Sequence, residues 1–464
     1  MIDRSETVAR RWVLALASIA SFMVALDALV VTTALSSIRR DLGTSVEALE
    51  WTVNAYNLGF AVLLLTGAAL GDRFGRRRLF AAGLGLFIVA SAACAMASDA
   101  PGLIIARAVQ GVGAAFVMPL GMALLGAAFP REERGKALGI FASVTGLALI
   151  AGPVVGGAVA EGIAWQWIFW INIPIGLVVL PFILRRMPES HGPKTPLDIP
   201  GLVLVTGAAF GLVWGLMRGT ATGWTRPEVF AALSAGLLLA AAFVAWEAVT
   251  DAPMVPMRFF RSRAFSGGIA ASFLFYAAMY GTLFLLPQFL QISQGNGPFG
   301  AGLRLLPWTA TLFVFAPIGG NLINRLGERS IIVIGLLMQA GGMGWIGFAA
   351  APDLTYLRLV PALILTGAGV SLAMPAAQNV VLNAVAPAEI GKASGTFNMF
   401  RYFGGALGVA ILVAVFGGAG DMVSAQAFSA GFAPAMIAAA GLSLGGALVA
   451  TVLPRPRVLQ PATR

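Results

Sequence analysis

Asp27 stands alone in "VALDALVVTTAL", residues 24–35, with apolar or small neighbours for about a dozen residues on either side. Two other charges interrupt apolar runs in the same way, Arg107 in "RAVQGVGAA" and Arg401 in "FNMFRYFGGALG". An ionisable side chain in hydrocarbon costs about 2.5–3.5 kcal/mol on insertion scales and defaults to a functional role. Two readings follow for Asp27. It is a static partner of Arg107 or of a helix end, or it carries protons. Burial favours the neutral carboxyl and a neighbouring cation favours the carboxylate. A site that alternates between those surroundings can load and release a proton, and the carrier is the preferred reading.

The elements that hold these residues are long and apolar. Of 464 residues, 58% are hydrophobic and only 11% are charged, against about 25% in soluble domains. Fourteen apolar blocks run from 12–38 to 431–453, and each approaches the roughly 20 residues needed to cross a bilayer. Backbone groups in lipid must be satisfied internally, so the blocks are read as helices. The longest polar connection, "RRMPESHGPKTPLD", spans 185–198, and no soluble domain is expected. The first block is too long for a removable signal peptide. The net charge of +10 is distributed unevenly. With a cytoplasmic N-terminus, twenty-two Lys/Arg fall on the cytoplasmic side, six on the other, and two inside blocks. This asymmetry predicts two cytoplasmic termini and contact with anionic lipid headgroups, with no nucleic-acid partner. The single cysteine, Cys94, and the single histidine, His191, rule out an intrachain disulfide and give no metal-site spacing. His191 is read as solvated. No phosphate-binding Gly-Lys-Ser/Thr loop is present, so ATP is not the expected energy source.

The chain contains an internal repeat. "GDRFGRRRL" at 71–79 aligns with "INRLGERSI" at 323–331. "QGVGAAFVMP" at 110–119 aligns with "TGAGVSLAMP" at 366–375, and "ERGKALGIF" at 133–141 with "EIGKASGTF" at 389–397. The expected fold is therefore all-α and membrane-integral, with 14 transmembrane helices. A six-helix bundle at 12–187 and another at 264–453 are related by a pseudo-two-fold axis, and two extra helices at 199–249 link them. Parallel halves rocking about a midplane site are a recurring transporter plan. Leu363 stands where Arg107 should repeat, and an apolar stretch around Met279 stands where Asp27 should. The repeat supplies the scaffold, and its breaks mark the chemistry.

Several of these motifs carry a family resemblance. "GDRFGRRR" resembles the loop motif of the major facilitator superfamily, "RAVQGVGAA" its fourth-helix motif, and "GLALIAGPVVGG" its fifth-helix motif associated with antiporters. "LDALVVTTALSSI", "WQWIFWINIPIG" and "LPQFLQISQGNGPFGAGLRLLP" look like its fourteen-helix drug:proton antiporter branch. The loop motif departs at Ala68, where glycine is usual. The resemblance implies multidrug efflux by proton antiport through the bacterial cytoplasmic membrane. It implies no enzymatic activity, no metal and no cofactor, and a monomer is expected.

Roles follow for individual residues. Asp27 and Arg107 are the proton-coupling pair. Asp72, Arg73, Gly75 and Arg76 form a topogenic loop that the resemblance casts as a latch on the cytoplasmic side, with Asp72 capping the third helix or pairing across the halves. Asn324 replaces the acid in the second copy. Gly146, Gly152, Pro153, Gly156 and Gly157 give a close, bent seam; the glycines alone imply only close packing, and antiport comes from the resemblance. The resemblance also puts a cavity among helices one, four, nine and twelve, helped by two, five, ten and thirteen. Its polar and aromatic candidates are Asn54, Tyr56, Asn57, Tyr276, Tyr280, Gln288, Asn379, Asn398 and Arg401. Phe22, Met23, Phe273 and Met279 would add adaptable apolar surface. The expected substrates are lipophilic antibiotics or monovalent lipophilic cations. A proton-coupled nutrient importer and a lipid or amphiphile translocator are the alternatives.

Overall fold

The computed structural model describes residues 4–192, 196–386 and 389–454. Fourteen helices among the described residues are long and apolar enough to cross a membrane. They are α1 Val8–Leu42, α2 Val46–Phe74, α3 Arg76–Ala95, α4 Ala100–Ala128, α5 Ala137–Gly162, α6 Trp167–Arg186 and α7 Ile199–Gly219. The chain continues with α8 Pro227–Val249, α9 Arg263–Ser293, α10 Pro298–Gly319, α11 Arg325–Ala349, α12 Tyr356–Leu382, α13 Ile390–Gly417 and α14 Ala425–Ala450. Their alternation puts both chain ends at one end of the bundle, here the terminal end, with the α1–α2 turn at the distal end.

Short polar residues start several helices. Ser45 accepts a hydrogen bond from the Ala48 amide, Asp99 from Gly102, Asp198 from Gly201, Ser262 from Phe265 and Ser424 from Ala427. Each satisfies an amide that the first turn leaves unpaired. At the terminal end the two tightest turns use glycine with positive φ, Gly75 at 111° and Gly327 at 77°, a region that other residues avoid. These are the glycines that the repeat aligned.

The repeat also governs packing. In the first half α4 packs on α2 and α3, and in the second α12 packs on α11. A side chain on Gly113 would overlap Gly83 and Phe87, and one on Gly369 would overlap Gly335 and Gln339. These are corresponding positions of the two copies. Such closeness follows from small residues, because helices in lipid gain contact chiefly by backbone approach. The inserted pair α7–α8 packs through Gly211 against Gly236. Helix α7 then lies against both α2 and α13, in an apolar cluster with Leu58, Val62, Ala209, Val213, Ala406 and Ala410.

Candidate functional site

Asp27 lies in the body of α1, 1% exposed, and Arg107 lies about two turns inside the distal end of α4, also 1% exposed. Arg107 Nη1 donates to Asp27 Oδ2 at 2.5 Å. The other carboxylate oxygen accepts from Gln110 Nε2 at 2.8 Å and from Asn172 Nδ2 at 2.9 Å. Arg107 also donates to Gln110 Oε1 at 2.7 Å and, through Nε, to the Thr52 carbonyl at 3.1 Å. Gln110 Nε2 reaches Ser91 Oγ at 2.8 Å. The guanidinium sits 4.2 Å from the centre of the Tyr56 ring, whose hydroxyl donates to the Val24 carbonyl. Five helices of the first half thus converge on one carboxylate. A buried ion pair tolerates desolvation only when its remaining donors and acceptors are met, and here both carboxylate oxygens are bonded.

An aromatic chain leads from this knot into the second half. Tyr56 neighbours Phe60, and Phe60 meets Tyr402 of α13 with ring centres 4.1 Å apart. Tyr402 neighbours Tyr280 of α9, which neighbours Tyr276. Arg401 rests against two of these rings, 4.8 Å from the centre of Tyr276 and 5.3 Å from that of Tyr402. Its Nη2 is 3.5 Å from the Tyr280 hydroxyl. The Arg401 Nε is buried without a hydrogen-bond partner, and no carboxylate pairs with Arg401 among the described residues. Four of the five tyrosines in the chain therefore join two arginines across the half interface.

The halves are tied together at the distal end. Gln291 of α9 donates to the Thr33 carbonyl at 3.0 Å and bonds Ser36 through its amide oxygen. Arg39 donates to the Met422 carbonyl at 3.2 Å, and the Phe299 amide donates to Glu161 at 2.8 Å. The fifth-helix glycines complete this seal. Gly152 and Gly156 admit α1 at Leu29 and Val30, Gly157 admits the Pro298 carbonyl, and Gly302 of α10 admits the Pro153 carbonyl. Helix α5 is interrupted at Leu147, ahead of Pro153, whose missing N–H frees the carbonyl four residues earlier. Gly146 touches Leu312 of α10. Outside the seal lies a cavity of about 720 Å³, walled by Ser36, Arg39, Arg40, Gln288, Gln291 and Asn296 among others. Inside it, α1, α5, α9, α10 and α12 enclose about 30 Å³ beside Thr32, Pro153, Met279 and Ser371. That is the space of a water molecule, not of a drug.

A family model described as Major Facilitator Superfamily matches residues 17–409. The chain belongs to the Major Facilitator Superfamily. It is 34% identical to the tetracenomycin C resistance and export protein of Streptomyces glaucescens, over 87% of this chain and 75% of that one. Identity to the multidrug resistance protein Stp of Mycobacterium tuberculosis is 35%, over 85% and 73%. Identity to the methylenomycin A resistance protein of Bacillus subtilis is 31%, over 86% of each chain. Among solved structures, a peptide transporter POT in complex with sulfate has a TM-score of 0.69 at 15% identity, covering 96% of this chain and 94% of that one. The xylose transporter XylE from E. coli, in a partially occluded inward open conformation, has a TM-score of 0.63 at 15% identity, covering 95% and 96%. These two establish the fold alone. This Major Facilitator Superfamily member is a multi-pass membrane transporter and not an enzyme, as its motifs imply.

Within that superfamily fold, several side chains lie away from their expected places. Asn54 is buried and donates to Met217 of α7 at 3.6 Å, so it faces the inserted pair and not the half interface. Tyr56 is closed into the Arg107 knot. Gln288 walls the distal cavity and donates to the Phe284 carbonyl. Asn398 donates to the Ser394 carbonyl, one turn back in its own helix. Asn379 is exposed and Asn57 buried. Of the nine lining candidates, Tyr276, Tyr280 and Arg401 meet in one place.

The loop also differs from a latch across the halves. Asp72 pairs with Arg76 at 2.6 Å, four residues on in its own loop, and its carbonyl accepts from the Gly192 amide. Arg73 is exposed beside Phe74. Gly75 abuts Glu189, which lies 3.7 Å from both Arg77 and Arg78. All of these contacts stay within the first half and the polar connection that follows it, and none reaches the second half. Glu247 is buried and accepts from the Val255 amide at 3.0 Å. His191 is exposed, in keeping with a solvated role. Gln110, Asn172 and Ser91 are the site residues that sequence reasoning missed. Gln110 and Asn172 lie inside motifs already singled out, and a polar residue in an apolar run was the available signal.

Proposed function

We propose that the chain exports lipophilic antibiotics by proton antiport across the bacterial cytoplasmic membrane, with both termini in the cytoplasm. The observation that carries this is the Asp27 carboxylate, held by three side-chain donors inside one half and linked by aromatic rings to the other. The names of the relatives support the substrate class, and the positive-inside asymmetry supports the orientation. With that orientation the distal seal closes the outside.

A proton arriving at Asp27 removes the charge that Arg107 neutralises. Arg107 then has one fewer charged acceptor, and its hold on Tyr56 changes. Tyr56 begins the chain that ends at Tyr276 and Arg401, so the protonation state of the first half bears on the packing of the second. Coupling requires such a differential contact. The energy comes from the proton gradient, with about 2.3 kcal/mol per charge for each 100 mV, and from no bound cofactor.

The test is transport by the full chain in proteoliposomes. Tetracenomycin C or methylenomycin A added on the inward face should drive proton release in the wild type, and Asp27→Asn should abolish that release while ligand binding persists. Undiminished proton release from the variant would show that Asp27 is not the carrier.

A further inference from the structure

The assignment of lipophilic substrates in the preceding section says nothing of their charge, and the second half bears on it. Arg401 lies eleven residues into α13 from Ile390, roughly 16 Å along the helix, near the middle of the membrane. Its guanidinium carries five donors. One contacts a tyrosine hydroxyl at the limit of hydrogen-bond distance, Nε is buried and unbonded, and no carboxylate neutralises the charge among the described residues. The neighbouring rings hold the cation by their faces and consume none of its N–H groups. The side chain is only partly buried, and with Nε itself shut off a ligand would reach the guanidinium through its Nη groups.

We propose that Arg401 is a substrate subsite for an oxyanion, so that the preferred substrates are aromatic acids: carboxylates or acidic phenols on a flat apolar body. The oxyanion takes the free N–H edge of the guanidinium, where charge-assisted and bidentate geometry is strongest. The ring system lies along Tyr280 and Phe273, and the Tyr280 hydroxyl supplies a further donor. A cationic drug would face an unneutralised like charge in a low-dielectric site. The distal cavity is built for the same sign: Arg39 and Arg40 line it and no carboxylate does, so an anion released outward meets a favourable field. This assignment rests on the exporter proposed above, and its test separates the two.

Three pyrene probes of one size differ only in charge: pyrene-1-carboxylate, 1-pyrenemethanol and 1-pyrenemethylammonium. Binding to the full chain in lipid nanodiscs, corrected with empty nanodiscs, should favour the carboxylate over the ammonium by about tenfold or more, the scale of one charge-assisted hydrogen bond. Arg401→Met should erase that preference, weakening the carboxylate far more than the alcohol, while Arg401→Lys keeps part of it. Equal or tighter binding of the ammonium by the wild type, or an unaltered carboxylate preference in Arg401→Met, overturns the subsite. If Arg401→Met also loses the alcohol, Arg401→Lys decides: a retained anion preference supports the subsite and a lost one overturns it. Absence of gradient-driven movement of every probe, with the anion preference intact, would sink the exporter and spare the subsite.

Discussion

The two intramembrane arginines are held in opposite ways. Arg107 directs its donors within its own half to Asp27, Gln110 and the Thr52 carbonyl. Arg401 leans on Tyr276 and Tyr402 and keeps Nε unbonded. A cation tied to a carboxylate is rearranged chiefly by altering that partner, which suits a group that senses a proton. A cation held by ring faces can accept a new partner without losing an old one, which suits recognition. The same residue type therefore serves two ends, and what separates them is whether a carboxylate stands nearby.

That contrast predicts unequal stability effects. Arg107→Met strands the Asp27 carboxylate and should destabilise the protein by about 3–5 kcal/mol, read as the fall in unfolding midpoint, with Arg401→Met costing much less. Equal losses would break the comparison. Adding Asp27→Asn to Arg107→Met should recover part of the loss, because the two residues form one network. Gln110→Leu removes a donor from Asp27 and an acceptor from Arg107, and should cost about 1–3 kcal/mol in the same assay. The smallest effect belongs to Tyr280→Phe. Its hydroxyl lies at a long 3.5 Å from Arg401, so stability should change by less than about 0.5 kcal/mol. Its carboxylate-probe affinity should nevertheless fall a few fold.

The scaffold was readable because hydropathy and an internal repeat both survive in the order of the residues. The Gly75–Gly327 and Gly113–Gly369 correspondences became backbone turns and helix contacts. Asp27 and Arg107 were readable because a lone charge in an apolar run is too costly to persist without a role. Gln110 and Asn172 escaped notice because a neutral amide disturbs such a run far less than a charge. The partners of Asn54, Gln288 and Asn398 were unreadable for a different reason. Which way a helix turns its polar residues depends on its rotation against neighbours, and the α7–α8 insertion gave α2 a second buried face, where Asn54 meets Met217. The loop pairings of Asp72 and Glu189 were hidden too, since they depend on where residues 189–192 return.

The inserted pair has a mechanical consequence. Helix α7 leans at once on Leu58 and Val62 from one half and on Ala406 and Ala410 from the other. An element bridging two moving parts would act as a brake if it were keyed to both by polar bonds or bulky interdigitation. Toward α2 it is keyed by the Arg218–Glu47 ion pair at 3.7 Å, the Trp51–Phe210 ring contact and the Asn54–Met217 bond, whereas toward α13 it meets Ala406 and Ala410. In the proposed transport cycle the pair would travel with α2 while α13 glides past, like a gasket that keeps lipid out of the joint without locking it.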